Sequence, residues 1–205
     1  MTHSVNIQCV NESDLNDELI STVKKLMGKS EISKHRMMDY VASRTAIKCA
    51  LSSLGYNKQL NELEILNYHC LKQLPQFLVS ISHSRGIGAA IIADKKDYLS
   101  VGIDIEFADR SLPDKSEKYY FNESDSICKS IQLWSIKEAC FKAYNSYQLI
   151  HKKPFIQMAQ FSVDEKYIFL TDQTQPIGEY SLSIQNITNR DLIIATALLY
   201  QTVAP

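Results

Sequence analysis

Four short stretches of the chain carry side chains whose types and spacing could do chemistry. In Val101-Gly102-Ile103-Asp104-Ile105-Glu106 the residues alternate, so a strand there puts Ile103 and Ile105 on one face and Asp104 with Glu106 on the other. Two carboxylates side by side repel unless a cation or a shared proton lies between them, which suits a hard oxygen-seeking metal such as Mg²⁺. The same alternation also fits an ordinary exposed strand with solvated carboxylates. In Trp134-Ser135-Ile136-Lys137-Glu138-Ala139-Cys140-Phe141-Lys142-Ala143, the residues Trp134, Glu138 and Lys142 stand four apart, on one stripe of a helix. That stripe offers a carboxylate and an ammonium to a common partner, or simply an ion pair beside a core tryptophan.

The third stretch, Ser80-Ile81-Ser82-His83-Ser84, ends a strand at a turn. Adjacent Ser82 and His83 project to opposite faces, which makes them a poor nucleophile and base pair; His83 is better suited to an anion. The fourth is the basic set Arg36, Arg44 and Lys48, with Lys34 and His35 beside it, four or eight residues apart along one helix side. Guanidinium groups so arranged can serve phosphates, and they can equally be a solvated face.

The elements that must position these groups follow from periodicity. Val5 to Val10 reads as a strand, and Glu31 to Leu54 as a long helix with apolar residues every three or four positions and Gly55 as its stop. Strand-like runs follow at 63–67, 77–82 and 87–93, with Ser84-Arg85-Gly86 as a turn between the last two. The order then restarts: a strand at 99–105, a long helix across 123–144, and strands near 160–163, 167–171, 180–184 and 192–199. The fold expected is α+β, two similar α/β halves related by a pseudo-twofold, each a long helix packed on a mostly antiparallel sheet. Residues 1–97 form one half and 98–205 the other, with the active site in the cleft between them.

Composition bounds the rest. The chain has 205 residues, enough to bury a core without disulfides or metal staples. Lys plus Arg (22) and Asp plus Glu (23) nearly cancel, so the chain lacks the basic excess of a non-specific nucleic-acid binder. Cys9, Cys49, Cys70, Cys128 and Cys140 are odd in number and unclustered, and read as reduced thiols. No leader pattern and no apolar span of membrane length is seen, so a cytoplasmic location without membrane attachment is expected.

In their order and spacing these stretches resemble the 4'-phosphopantetheinyl transferase superfamily, in its longer, two-halved, Sfp/EntD-like type. Val101 to Glu106 looks like the (I/V)-G-(I/V)-D-(I/V)-E box and Trp134 to Lys142 like the W/F-S-x-K-E-A-x-x-K box. Ser80 to Ser84 is similar to the S-x-S-H-S stretch, and Arg36 with Ala42-Ser43-Arg44 resembles the R-x-x-x-x-x-A-G-R helix. The resemblance implies transfer of the phosphopantetheine arm of coenzyme A to a serine of an acyl or peptidyl carrier protein, leaving 3',5'-ADP. Carried over residue by residue, Asp104, Glu106 and Glu138 would bind Mg²⁺. Lys142, His83 and Ser82 would meet the phosphates, and Arg36, Arg44, Lys72 and Lys137 would line the rest of the coenzyme A site. The base that takes the serine proton is Glu138 or a metal-bound water, with Glu138 preferred on position. Lys115, Lys118 and Lys129 would flank an acidic carrier helix. Because both halves lie in one chain, the implied enzyme is a monomer.

Two features depart from the family pattern. Lys142 leads into Ala143-Tyr144-Asn145-Ser146-Tyr147-Gln148-Leu149 where relatives carry glycines, and Leu71-Lys72-Gln73-Leu74-Pro75 stands where a glycine precedes the proline. They motivate the alternative of a non-catalytic module that binds coenzyme A or a carrier protein on the same fold.

Overall fold

The computed structural model describes residues 3–9, 16–28, 31–127, 130–187 and 189–200. Its first sheet contains β1 (His3–Cys9), β2 (Ile65–Leu66), β3 (Cys70–Leu71), β4 (Phe77–Ser84) and β5 (Ile87–Asp94), in the spatial order β1-β5-β4-β3-β2. The second contains β6 (Tyr98–Phe107), β7 (Phe161–Asp164), β8 (Tyr167–Leu170), β9 (Gly178–Ile187) and β10 (Arg190–Tyr200), in the order β6-β10-β9-β8-β7. Both sheets are antiparallel. In each, the first strand of the half pairs with the last and the others follow in reverse, so the two halves repeat one topology.

Each half also carries one helix of 20 residues, α2 (Lys34–Ser53) after the shorter α1 (Asp17–Met27), and α4 (Ile131–Ile150) after the single turn α3 (Glu117–Tyr120). Serine hydroxyls start both long helices: Ser33 accepts from the Arg36 amide and Ser130 from the Leu133 amide, satisfying N–H groups that the first turn cannot. The second helix begins eight residues later than periodicity predicts, at 131 rather than 123. The intervening chain is held instead by Asp125, which accepts from the amides of Asn122 and Val163. The same helix runs six residues past Tyr144, because no glycine interrupts it. The helix α1 and the small β2–β3 hairpin were not anticipated; the hairpin turns at Asn67 and Tyr68, both with positive φ. The expected turn after Ser84 is a two-residue reversal at Arg85-Gly86, with φ of 51° and 81°. The predicted end of the first strand at Val10 lies outside the described residues.

Strand parity divides the core. Leu78, Ile87, Ala89 and Ile91 of the first sheet share one apolar cluster with Val101, Ile103, Ile105 and Ile194 of the second. The opposite faces meet the helices: Phe77, Val79 and Ile92 under α2, and Ala195, Ala197 and Leu199 under α4. Glycine permits the helices to come close. A Cβ on Gly88 would lie 2.2 Å from the backbone of Ala42 in α2, and one on Gly102 would lie 2.0 Å from the Ala139 carbonyl oxygen in α4. The glycine two residues before Asp104 therefore sets how near α4 lies to β6. Among the described residues no helix is long and apolar enough to cross a membrane.

Candidate active site

The cleft between the halves is built where β4 faces β6. The β6 strand is the edge of its sheet, and its outward amides at Ile103 and Ile105 find partners in side chains: Ile103 N donates to Ser80 Oγ (3.2 Å) and Ile105 N to Ser82 Oγ (3.4 Å). Serines two apart on one strand match amides two apart on the other, which is the structural use of the S-x-S spacing. This register carries Ser82 to Asp104, its hydroxyl donating to Oδ1 at 3.0 Å.

Asp104 and Glu106 share the face of β6 that carries Gly102, as the alternation predicts, and both are buried. Close approach at Gly102 brings α4 alongside, and Lys142 reaches Asp104. Its ammonium lies 2.7 Å from Asp104 Oδ1, 3.1 Å from Ser82 Oγ and 3.1 Å from the Ile103 carbonyl. It thus passes over Glu138, one turn earlier, to pair with β6 of its own half rather than along its own helix, and reaches the other half only at the Ser82 hydroxyl. Burial pushes the Glu138 carboxyl above the usual carboxylate range; Asp104 adds to this and Lys142 opposes it. Trp134, on the same stripe, turns into the core of its own half, edge-on to Tyr120 at 5.4 Å.

Two acceptors in this cluster, Asp104 Oδ2 and Glu106 Oε2, are buried without a hydrogen-bond partner among the described residues. An orphaned buried carboxylate oxygen costs on the order of a few kcal/mol unless a cation satisfies it, so the pair fits a divalent ion. Among the described residues no three acidic, histidine or cysteine side chains form a ready ligand set. Arg110 pairs with Glu106, and Lys142 with Asp104. That arrangement matches Mg²⁺, which is commonly held by one or two carboxylates together with substrate phosphates, rather than Zn²⁺ in a closed cage.

His83 points the other way from Ser82, as strand geometry requires. It meets Asp39 of α2, with Nδ1 3.3 Å from Oδ2, and His35 Nε2 lies 3.4 Å from the same oxygen. The Gly86 amide donates to Asp39 Oδ1, so one buried carboxylate fixes both His83 and the turn behind it. Asp39 was not singled out in the sequence, although it stands three residues after Arg36 and five before Arg44, on the helix that carries both. Arg36 is exposed on α2. Arg44 lies over the Tyr40 ring at 4.7 Å, with a buried Nε that has no partner among the described residues, and burial lowers its pKa. Lys72 is exposed and paired with Glu64 at 2.8 Å.

Lys137 is not brought to this cleft. It is fully buried inside the C-terminal half, paired with Asp125 at 2.8 Å and donating to the Phe161 carbonyl. One residue's difference from Glu138 rotates it by about 100° around α4, onto the face that packs against β7. Expectation from the motif alone placed it with the ligand; helical phase places it in the core.

Beside Lys142 the cleft opens into an apolar cavity of about 270 Å³. It is lined by Ile65 and Tyr68 of the β2–β3 hairpin, by Phe141 and Asn145 of α4, and by Phe155 in the segment after α4. The cavity therefore continues directly from the charged cluster.

The family model of the 4'-phosphopantetheinyl transferase superfamily matches residues 100–197, from β6 through β10. That span contains Asp104, Glu106, Glu138 and Lys142. No curated protein matches the chain.

Proposed function

We propose that this protein, whose residues 100–197 match the family model of the 4'-phosphopantetheinyl transferase superfamily, moves the phosphopantetheine arm of coenzyme A onto a serine hydroxyl of an apo acyl or peptidyl carrier protein, with Mg²⁺, releasing 3',5'-ADP. The observation that carries this reading is the pair of unpartnered buried oxygens on Asp104 and Glu106 of β6, beside the Lys142 ammonium that α4 pairs with Asp104.

Asp104 and Glu106 would hold the metal, with Glu138 as a third ligand only once the ion draws the three carboxylates together. When bound, Mg²⁺ neutralises charge on the pyrophosphate and its departing phosphate. The Lys142 ammonium, 2.7 Å from Asp104, supports the same charge from the helix side. In the reaction the serine Oγ forms a bond to the phosphorus that carries the arm. The bond from that phosphorus to the oxygen of the departing 3',5'-ADP breaks, and the serine proton passes to Glu138. His83, steadied by Asp39, would meet the nucleotide from the α2 side, the helix that also carries Arg36 and Arg44, while Ser82, on the opposite face of β4, would meet it from the side of Asp104. Lys72 would exchange Glu64 for the nucleotide. The apolar cavity beside Lys142 receives the pantetheine arm, whose alkyl and amide groups need a wall but no counter-charge.

The carrier would dock near α3, where Lys115 and Lys118 are exposed; Lys129 lies outside the described residues. Both halves of the cleft come from one chain, so the active unit is a monomer, working in the cytoplasm where its two substrates are found. The test is intact-mass spectrometry of apo acyl and apo peptidyl carrier proteins incubated with the protein, coenzyme A and Mg²⁺, with EDTA as control. A gain of one phosphopantetheine mass that EDTA abolishes is the expected result. Coenzyme A binding without any mass gain on either carrier would favour the alternative, a non-catalytic binding module; its motivation is the unbroken α4 at Asn145 and Tyr147, where the resembling enzymes have glycine.

A further inference from the structure

One buried amide stands directly behind the cavity. Asn145 lies three residues after Lys142, almost one helical turn, and so faces the same cleft. It is 5% exposed and lines the cavity. Both ends of its carboxamide bind one residue of the segment that leaves α4: Nδ2 donates to the Ile156 carbonyl at 3.0 Å, and the Ile156 amide donates to Oδ1 at 2.9 Å. Two parallel bonds fix both the distance and the rotation of that peptide, as a strand partner would.

The segment has few other anchors. After α4 the chain turns at Lys152, with φ of 53°, and Lys153 N donates back to Gln148 O at 2.9 Å. Pro154 has no amide to give. Neither Pro154 nor Phe155 has a backbone hydrogen bond among the described residues; Ile156 is tied by the Asn145 pair and packs its side chain on the core, and Gln157 is tied onward to Gln160. Phe155, the neighbour of that clamped residue, is 60% exposed yet lines the cavity together with Tyr68. A phenyl ring with so little packing of its own depends for its place on how the backbone beside it is held.

We infer that Asn145 is a positioning residue for the coenzyme A arm: through its clamp on Ile156 it holds Phe155 as the outer wall of the arm's cavity. The inference rests on the transferase reading and extends it to a residue that touches no reacting atom. Asn145→Ala leaves the Ile156 N–H and C=O without their partner, and the segment that carries Phe155 swings away from the cavity.

Calorimetry with coenzyme A and with 3',5'-ADP, which has no arm, tests this on the wild-type protein, Asn145→Ala, Phe155→Ala and the double variant, in Mg²⁺. Each single variant should weaken coenzyme A binding by about tenfold, equivalent to about 1.4 kcal/mol. Binding of 3',5'-ADP should stay within about twofold, and the double variant should bind coenzyme A no more weakly than Asn145→Ala, because both changes remove the same wall. Unchanged coenzyme A affinity in Phe155→Ala overturns the inference, and this exposed position decides the matter should Asn145→Ala not fold. Equal losses for both ligands, or fully additive losses in the double variant, also overturn it. Failure of the wild-type protein to bind either ligand overturns the transferase reading beneath it.

Discussion

The hydroxyl of Ser82 lies 3.0 Å from Asp104 Oδ1, and the ammonium of Lys142 closes the triangle at 3.1 Å and 2.7 Å. A hydroxyl from the first half thus orients a carboxylate of the second, and a helix cation balances it. Asp104→Ala should reduce transfer by about 10²–10³-fold or more, measured as mass gained by a carrier protein. Thermal unfolding should stay close to that of the wild type, because the Lys142 side chain is 29% exposed and can turn to water. Loss of folding, with activity in proportion to the folded fraction, would remove Asp104 from the chemistry.

The Lys137–Asp125 pair is a different kind of contact, completely buried on both sides. Removing one partner strands a charge in the core, so Lys137→Met and Asp125→Leu should each destabilise the protein by about 3–5 kcal/mol in urea unfolding. Replacing both together should recover only the part due to the stranded charge, because the Asn122 and Val163 amides still lose their acceptor. A Lys137→Met protein as stable as the wild type would mean that the pair is not formed in solution.

His69 brings a pH dependence. It is buried at the junction of the halves, its Nδ1 3.3 Å from both Ser100 Oγ and Ser146 Oγ, with Lys95 and His151 as the charges that face it. Burial, reinforced by those two cations, lowers its pKa to about 4. Below its unfolded value of about 6.5, the unfolded chain takes up a proton that the folded one does not. Stability should therefore be complete above about pH 6.5 and fall by up to about 3 kcal/mol as the pH drops towards 4. Urea midpoints across this range should flatten in His69→Gln, and an unchanged acid limb would assign the loss to other groups.

For the carrier, the exposed lysines on either side of Ser116 offer the test. Lys115→Glu with Lys118→Glu should lower kcat/KM for an acidic carrier by about tenfold or more, with a steeper salt dependence in the wild type than in the variant. Coenzyme A affinity should not change. Carrier turnover that ignores both reversals would move docking elsewhere.

Much of this was legible in the residues themselves. The alternation at 101–106 placed Asp104 and Glu106 on one face, and adjacency separated Ser82 from His83. Repeated element order announced two halves with one topology. What escaped was whatever depends on contacts distant in sequence. Asp39 gains meaning only when the Arg85-Gly86 turn folds back onto α2, and Lys137 reads as a ligand until Asp125 is seen 2.8 Å away. The strand expected at 63–67 covers only the first arm of the 65–71 hairpin, and the second arm escapes because each pairing segment is only two residues long, too short for periodicity to register. Asn145 was seen only as a missing glycine; that its amide holds a returning loop needs the loop's position.

The seam between β4 and β6 has a consequence for exchange with solvent. Along β10 the second sheet is closed by a continuous ladder of backbone bonds, whereas at the cleft the Ile103 and Ile105 amides are covered only by the hydroxyls of Ser80 and Ser82. These two amides should trade hydrogen for deuterium through small separations of the halves, well before their β10-facing neighbours do. They flank Asp104, so their exchange rates form a built-in gauge of cleft opening, readable without any substrate and expected to slow when a ligand bridges the two sides.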